Sequence, residues 1–250
     1  MDLMLFYIFL PIIAVLYAAV GHGGASGYLA LMSLFAIAPE EMRPTALVLN
    51  LFVAGIAFVY FAKLGHFKFK TFIVFALASI PMAFFGGTFE IDASIYKLIL
   101  GIFLVLSVAK MSGLLDFVLK KEDYDSPSKS ASFPIGLVFG AVIGFFSGLI
   151  GIGGGIILSP AILLLRWGTS KEAAAVSALF IWVNSIAGLL GQYSEDNLSL
   201  HPQSWLMILL VVLGGLAGGF IGSKKLNNKN LRYLLSFMLL AAALKLIFGL

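Results

Sequence analysis

Two glycine clusters hold the residues best placed to do chemistry in this sequence. Gly21-His22-Gly23-Gly24 and Gly151-Ile152-Gly153-Gly154-Gly155 begin 130 residues apart, and each closes an apolar run of 18 residues. Glycine inside a helix costs ~1 kcal/mol against alanine and admits backbone conformations that other residues resist. Three or four glycines together should therefore open the helix. The N–H groups of the following segments, from Ala25 and from Ile156, would then point into the opening with the positive end of a helix dipole behind them. That arrangement suits an anion. Close helix packing through small residues is the alternative explanation of such clusters.

Other donors stand near these openings in the sequence. His22 is the one ionisable residue inside them. An imidazole can change charge near neutrality, so it could pair with an anion or couple its movement to a proton. Ser26 and Ser159 follow the two clusters closely and offer hydroxyls. Ser177, Asn184 and Gly188 recur at i, i+7 and i+11 on one helical face, and Asn50 holds the corresponding place in the earlier half. Interhelical hydrogen bonding would explain these polar residues equally well. The apolar runs contain no aspartate or glutamate away from their ends. Cation-translocating proteins usually need intramembrane carboxylates, so this absence favours an anion. His66 and His201 fall in loops, too scattered for a metal site, and no cofactor is expected. No GxxxxGK[ST] loop is present, which argues against an ATP-driven pump.

The elements that must position these groups follow from composition. Of 250 residues, 61% are apolar or aromatic and only 11% charged, with no cysteine. So few charges cannot cover a soluble globule of this size, and an all-α polytopic membrane protein is expected. A crossing takes ~20 apolar residues. The long runs are Leu3–Val20, Pro44–Ala62, Phe72–Gly87, Ile95–Leu115, Phe133–Ile150, Ala173–Leu190, Trp205–Gly222 and Leu231–Leu250. Two shorter stretches, Ala25–Ala38 and Ile156–Trp167, follow the glycine clusters, giving eight to ten helices. Leu3–Val20 lacks the basic start of a signal peptide and is expected to be retained. Tyr60, Trp167, Tyr193 and Trp205 lie near run ends, as interfacial anchors do.

The order of elements repeats. Residues 1–115 and 133–250 each hold a glycine-broken pair followed by three long runs, and 116–132 (DFVLKKEDYDSPSKSAS) reads as a solvated linker. Basic residues favour the cytoplasmic side and can vote on topology. If each glycine-broken pair crosses only once, giving eight crossings and parallel halves, the 16 cations divide evenly. If each returns to the side it came from, 13 fall on one side and only Arg43, Lys97 and Lys245 on the other. The second scheme predicts two inverted repeats, a cytoplasmic linker and both termini outside. Arg43 and Arg166, at run ends, would then snorkel to headgroups.

The segment Gly151-Ile-Gly-Gly-Gly-Ile-Ile-Leu-Ser-Pro-Ala-Ile-Leu resembles the glycine motif of the sulfite exporter TauE/SafE family of prokaryotic membrane permeases. The likeness extends through both repeats and includes GGLAGGFIGSKKL before the last run. The first repeat departs from it, with His22, Ala25 and Ala30 where Ile152, Gly155 and Pro160 stand in the second. The resemblance implies a prokaryotic inner-membrane exporter of small sulfur-containing oxyanions, such as sulfite, thiosulfate or organosulfonates, and no enzyme. Inverted repeats place such a site near mid-membrane at their interface. The expected contacts are Gly21, His22, Gly23, Gly24, Ser26, Asn50, Gly153, Gly154, Gly155, Ser159, Ser177 and Asn184. The expected partners are a small anion, membrane lipid, a coupled proton and a second copy of the chain, with no nucleic acid. Rival readings are an anion channel and a membrane-embedded enzyme or assembly factor using His22.

Overall fold

The computed structural model describes residues 3–111, 130–196, 198–225, 240 and 244. Most of the run Leu231–Leu250 and most of the linker 116–132 therefore lie outside the described residues. Among the described residues there are nine helices and no strand. They are α1 (Leu3–Ala19), α2 (Ala25–Leu34), α3 (Pro39–Lys63), α4 (Phe69–Thr88), α5 (Ala93–Met111), α6 (Phe133–Ile150), α7 (Gly155–Leu164), α8 (Ser170–Ser194) and α9 (Ser204–Lys225). Five of them, α3, α4, α6, α8 and α9, are long and apolar enough to cross a membrane.

Element lengths match between the halves. The two short helices have 10 residues each, and α3 and α8 have 25 each. Both short helices stop earlier than their apolar stretches suggest. Ala36 and Arg166, two residues past the ends, adopt left-handed backbone with φ of 57° and 58°. The amides of Ile37 and Trp167 then return to the carbonyls of Met32 and Ile162, closing each helix end. The next helices begin with chemistry suited to a start: Pro39 opens α3, and Thr169 with Glu172 forms a reciprocal capping box on α8. Glu172 also pairs with Lys68 at 3.2 Å, tying the start of α8 to that of α4.

Two glycine seams set helix directions. On α6, glycine recurs every fourth residue, and Gly136, Gly140, Gly144 and Gly148 lie against Val74, Phe75, Ser79 and Ala83 of α4. Numbers rise together along the seam, so the helices run parallel with backbones nearly touching, as small residues permit. On α9, Gly214, Gly218 and Gly222 rest likewise on the carbonyls of Pro11, Val15 and Ala19 of α1. Between the seams α3 and α8 run antiparallel: Asn50 meets Ser185, Gly55 meets Trp182, and Phe61 packs with Ala174 and Ala175. Gly21, at the end of α1, reaches Ala174 in the second turn of α8. Gly151, at the end of α6, reaches Arg43 in the second turn of α3.

Large apolar side chains stay exposed along the outer faces, among them Met4, Phe85, Val138, Leu209 and Leu213. Tyr193 and Trp205 are exposed near helix ends, as expected of anchors. Trp167 is not: it is buried, with its ring 5.6 Å from that of Phe75.

Candidate functional site

The two glycine-rich loops meet in the interior. Both short helices begin after a left-handed glycine, Gly24 with φ 99° and Gly154 with φ 77°, and neither glycine can supply a side-chain cap. For α2 the missing cap comes from another helix. Asn50, fully buried at the twelfth position of α3, accepts the Ala25 N–H through Oδ1 at 3.1 Å. Its Nδ2 donates to Ser185 Oγ of α8 at 3.4 Å. The twelfth position of α8 is Ile181, and these two side chains form the joint between the loops. A Cβ on Gly23 or on Gly153 would fall on the Asn50 amide and on Ile181 alike, so glycine is required at both places for the loops to close on them.

Beside this joint lies a second polar group. His22 Nδ1 is 2.9 Å from the Val20 carbonyl, and its Nε2 is 3.1 Å from the carbonyl of Gly155 in the other loop. Ser159 Oγ lies 3.3 Å from the same Nε2 and 2.8 Å from Ser177 Oγ. A neutral imidazole carries one N–H and can satisfy only one of two carbonyls; the imidazolium satisfies both. In the neutral form with its proton on Nδ1, the Ser159 hydroxyl can instead donate to Nε2. His22 thus links the two loops in a way that depends on its proton count.

All twelve expected site residues are buried, but they divide by what they touch. His22, Gly155, Ser159 and Ser177 form one cluster. Gly23, Gly153 and Asn50 form the adjoining one, which also takes in Ser185. The remainder have local roles. Ser26 bonds Tyr17 OH at 2.7 Å, fastening α2 to α1. Asn184 donates to the Phe180 carbonyl one turn back at 2.7 Å, and its Oδ1 is buried without a hydrogen-bond partner. Asn184 is therefore not the counterpart of Asn50, because equal helix lengths put Ile181 there. Gly24 lies against the Tyr28 ring, Gly154 against Ile143 and Phe180, and Gly21 against Ala174. The expectation of a free Ala25 N–H also changes: Asn50 already occupies that donor.

Arg43 departs furthest from its sequence reading. Instead of reaching toward headgroups, its guanidinium is folded back onto helix ends, donating to the carbonyls of Phe89 at 3.1 Å, Gly148 at 3.3 Å and Gly87 at 3.5 Å. Those carbonyls lie at helix C-terminal ends, where a cation is favoured. Next to it, Tyr96 donates to the Ile150 carbonyl at 3.1 Å, one residue before the second glycine loop. Arg43, Tyr96 and Gln192 line a cavity of about 430 Å³ that opens beside the first turns of α3 and the last turns of α8. Sequence reasoning passed over Ser185, Tyr96 and Gln192. Only the eight-residue step from Ser177 to Ser185, two helical turns, could have signalled the first of them.

Long apolar helices packed through glycine seams, with an apolar exterior and buried polar loops, define a multi-pass α-helical membrane protein. The chain belongs to the sulfite exporter TauE/SafE family, which it matches over residues 6–246. It is 38% identical over 236 residues to the "Probable membrane transporter protein y4hK" of Sinorhizobium fredii, covering 94% of each chain. It is 29% identical over 192 residues to the "Probable membrane transporter protein MJ0441" of Methanocaldococcus jannaschii, covering 71% of this chain and 68% of the relative. The "Probable membrane transporter protein YunE" of Bacillus subtilis is 24% identical over 229 residues, covering 85% and 82%. No solved structure matches the chain.

Proposed function

We propose that this chain is a secondary transporter, working as an exporter of small anions, with sulfur-containing oxyanions such as sulfite, thiosulfate or organosulfonates as substrates. The observation that carries this reading is the junction of the two glycine-broken loops on Asn50 and Ile181, flanked by His22, Ser159 and Ser177. Backbone and side-chain donors concentrated in a buried place suit an oxyanion, which needs N–H and O–H groups more than full opposite charge. Irregular backbone at membrane depth is stable only where protein or a wet cavity surrounds it. The names of the relatives support transport across a membrane.

The mechanism we infer is alternating access between inverted repeats. Its support is the pairing of directions. α1 lies parallel to α9 and α6 lies parallel to α4, while α3 opposes α8. The two glycine loops reach toward opposite ends of the α3–α8 pair. In the observed arrangement the Ala25 N–H is taken by Asn50 of α3 and His22 meets the Gly155 carbonyl of the other loop, as in a closed state, and an arriving anion would take over the Ala25 N–H from Asn50. His22 would carry the coupled proton. The corresponding placement is in the inner membrane, with the 116–132 linker cytoplasmic and both termini outside.

Counterflow in proteoliposomes tests the function. Vesicles loaded with unlabelled sulfite, thiosulfate or ethanesulfonate should accumulate the labelled anion saturably. No flux of any of them, with or without a pH gradient, overturns the reading. Unsaturable flux favours a channel. Single cysteines are clean topology probes in a chain that has none, and labelling of both termini from the cytoplasmic side would overturn the inverted arrangement.

A further inference from the structure

Charge in this molecule is sorted by end, and one end is left with cations that have no counter-charge. Glu40 and Glu41 begin α3, Glu90 and Asp92 follow α4, and Glu195 and Asp196 follow α8. These six acids lie at the end that holds the cavity beside Arg43. The other end, where α4 and α8 begin, carries Lys63, Lys68, Lys70, Arg166 and Lys171. Among the described residues Glu172 is the one carboxylate there, and both its oxygens are engaged. Oε2 accepts the Thr169 N–H at 2.9 Å, and Oε1 pairs with Lys68 at 3.2 Å. Lys63, Lys70 and Lys171 are exposed, and among the described residues none of them has an ion pair.

Two of these lysines come together from different halves of the chain. The Lys68–Glu172 pair joins the starts of α4 and α8, and Gly87 meets the Gly188 carbonyl near their ends, so the two helices run parallel. Lys70 and Lys171 stand in the first turns of these helices, next in the chain to the residues of that ion pair. Apolar side chains are exposed beside them: Leu64, Phe69 and, at the start of α6, Phe133. Further along, the outer faces of α4 and α6 continue as exposed Leu77, Ile80, Ile135 and Val138. Cations and aromatic rings at the border of a lipid-facing surface belong at headgroup depth. Orienting a chain in the bilayer takes basic residues in its loops, but it does not take lysines of two distant loops gathered in one place.

We propose that this face is a binding site for one anionic phospholipid. Its headgroup phosphate is held jointly by Lys70 of α4 and Lys171 of α8, with Lys63 adding to the field. The acyl chains run past Phe69 along the apolar helix faces. Packed helices lie about 8–10 Å apart, a gap that one headgroup spans between two long lysine side chains. A zwitterionic lipid binds less well, because its cationic group is repelled by the same lysines. Free phosphate lacks the chains that would cover Phe69 and the apolar faces. The bound lipid fastens the two halves of the chain together, beside the Lys68–Glu172 pair. Its binding is independent of what the glycine loops carry.

Native mass spectrometry of the full-length chain released from detergent micelles tests the site, with phosphatidylglycerol, phosphatidylcholine and inorganic phosphate as probes. Phosphatidylglycerol should be retained saturably, one lipid per chain, and at least tenfold tighter than phosphatidylcholine. Inorganic phosphate should not displace it. Lys70→Gln and Lys171→Gln together should remove the preference, whereas Lys97→Gln, at the opposite end, should leave it intact. Lys70→Arg with Lys171→Arg keeps the charge and should keep the lipid, which separates lost charge from lost fold. Equal retention of the two lipids by the native chain overturns the proposal. So does an undiminished preference in the folded glutamine pair, or its loss in the folded arginine pair. Displacement by inorganic phosphate would mean a site for a free anion and would overturn it as well. None of these measurements involves flux, so counterflow can fail or succeed alone.

Discussion

Replacing Asn50 with leucine tests the loop junction most directly, because the amide performs two separable tasks. Oδ1 takes the Ala25 N–H at 3.1 Å, and Nδ2 reaches Ser185 Oγ at a longer 3.4 Å. Leucine fills similar space and leaves the Ala25 N–H buried without an acceptor, which costs about 1–3 kcal/mol. Losing an acceptor at the positive end of α2 adds roughly 0.3–1 kcal/mol. The Ser185 hydroxyl can rotate toward its own helix backbone, so its share is about 0.5 kcal/mol or less. The total is about 1.3–4.5 kcal/mol. Ser185→Ala should cost under about 1 kcal/mol, and Asn50→Asp, which keeps the acceptor, should fall between the two. Thermal unfolding in detergent, followed by helical circular dichroism, should show Asn50→Leu melting roughly 5–15 °C below the native chain. In counterflow, Asn50→Leu should lose flux while Asn50→Asp retains a part of it. A melting temperature for Asn50→Leu equal to the native one, or a loss for Ser185→Ala as large as that for Asn50→Leu, would refute the assignment of Asn50 as the cap of α2.

Three further perturbations follow from the geometry. His22→Gln removes the titratable group but keeps a hydrogen-bonding amide. If His22 carries the coupled proton, a flux that varies with pH in the native chain becomes flat, and identical profiles would remove His22 from coupling. Gly144→Ala puts a Cβ onto the Ser79 backbone, 2.5 Å from its Cα. Overpacking there costs about 1–3 kcal/mol against about 1 kcal/mol gained in helix propensity, so the melting temperature should drop; a rise would contradict the seam. Asp92 caps α5, where the Ser94 backbone N–H and hydroxyl hold its carboxyl below the usual carboxylate range. A depressed value means stabilisation above the ordinary carboxylate range that disappears as pH falls through the folded value. Asp92→Ala should therefore expose the start of α5 to faster hydrogen exchange at neutral pH and converge with the native chain in acid; equal exchange at neutral pH would count against the cap.

Most of the helical plan was legible because membrane length and apolar runs are global signals. The glycine breaks fell where the sequence placed them, since only glycine adopts the left-handed φ of positions 24 and 154 cheaply. Helix ends were less legible. Ala36 and Arg166 terminate the short helices in left-handed backbone without the glycine that normally marks such an end. A polar residue at a run margin was passed over: α8 continues past Leu190, so Gln192 belongs to a helix and is buried. Along α6, spacing of four between Gly136 and Gly148 was open to inspection, but which helix it packs on is a tertiary fact.

The site itself was legible in membership more than in pairing. Periodicity puts Ser177 and Asn184 on one face, yet a face spans several neighbours, and a buried amide bonds whichever carbonyl is nearest. Asn184 finds Phe180 on its own helix, whereas Ser177 meets Ser159 across helices. Arg43 illustrates the same limit in charge. Its position at a run end argues for headgroups, while the carbonyls of Phe89, Gly87 and Gly148 offer acceptors without exposing the side chain to lipid. Three helix ends must converge for that option to exist, and no single-chain periodicity encodes their convergence. The same convergence leaves Gln192 idle and puts three acids at the cavity mouth. The absence of carboxylates from the apolar runs therefore speaks for the loop junction alone, since Glu40, Glu90 and Asp196 lie outside those runs.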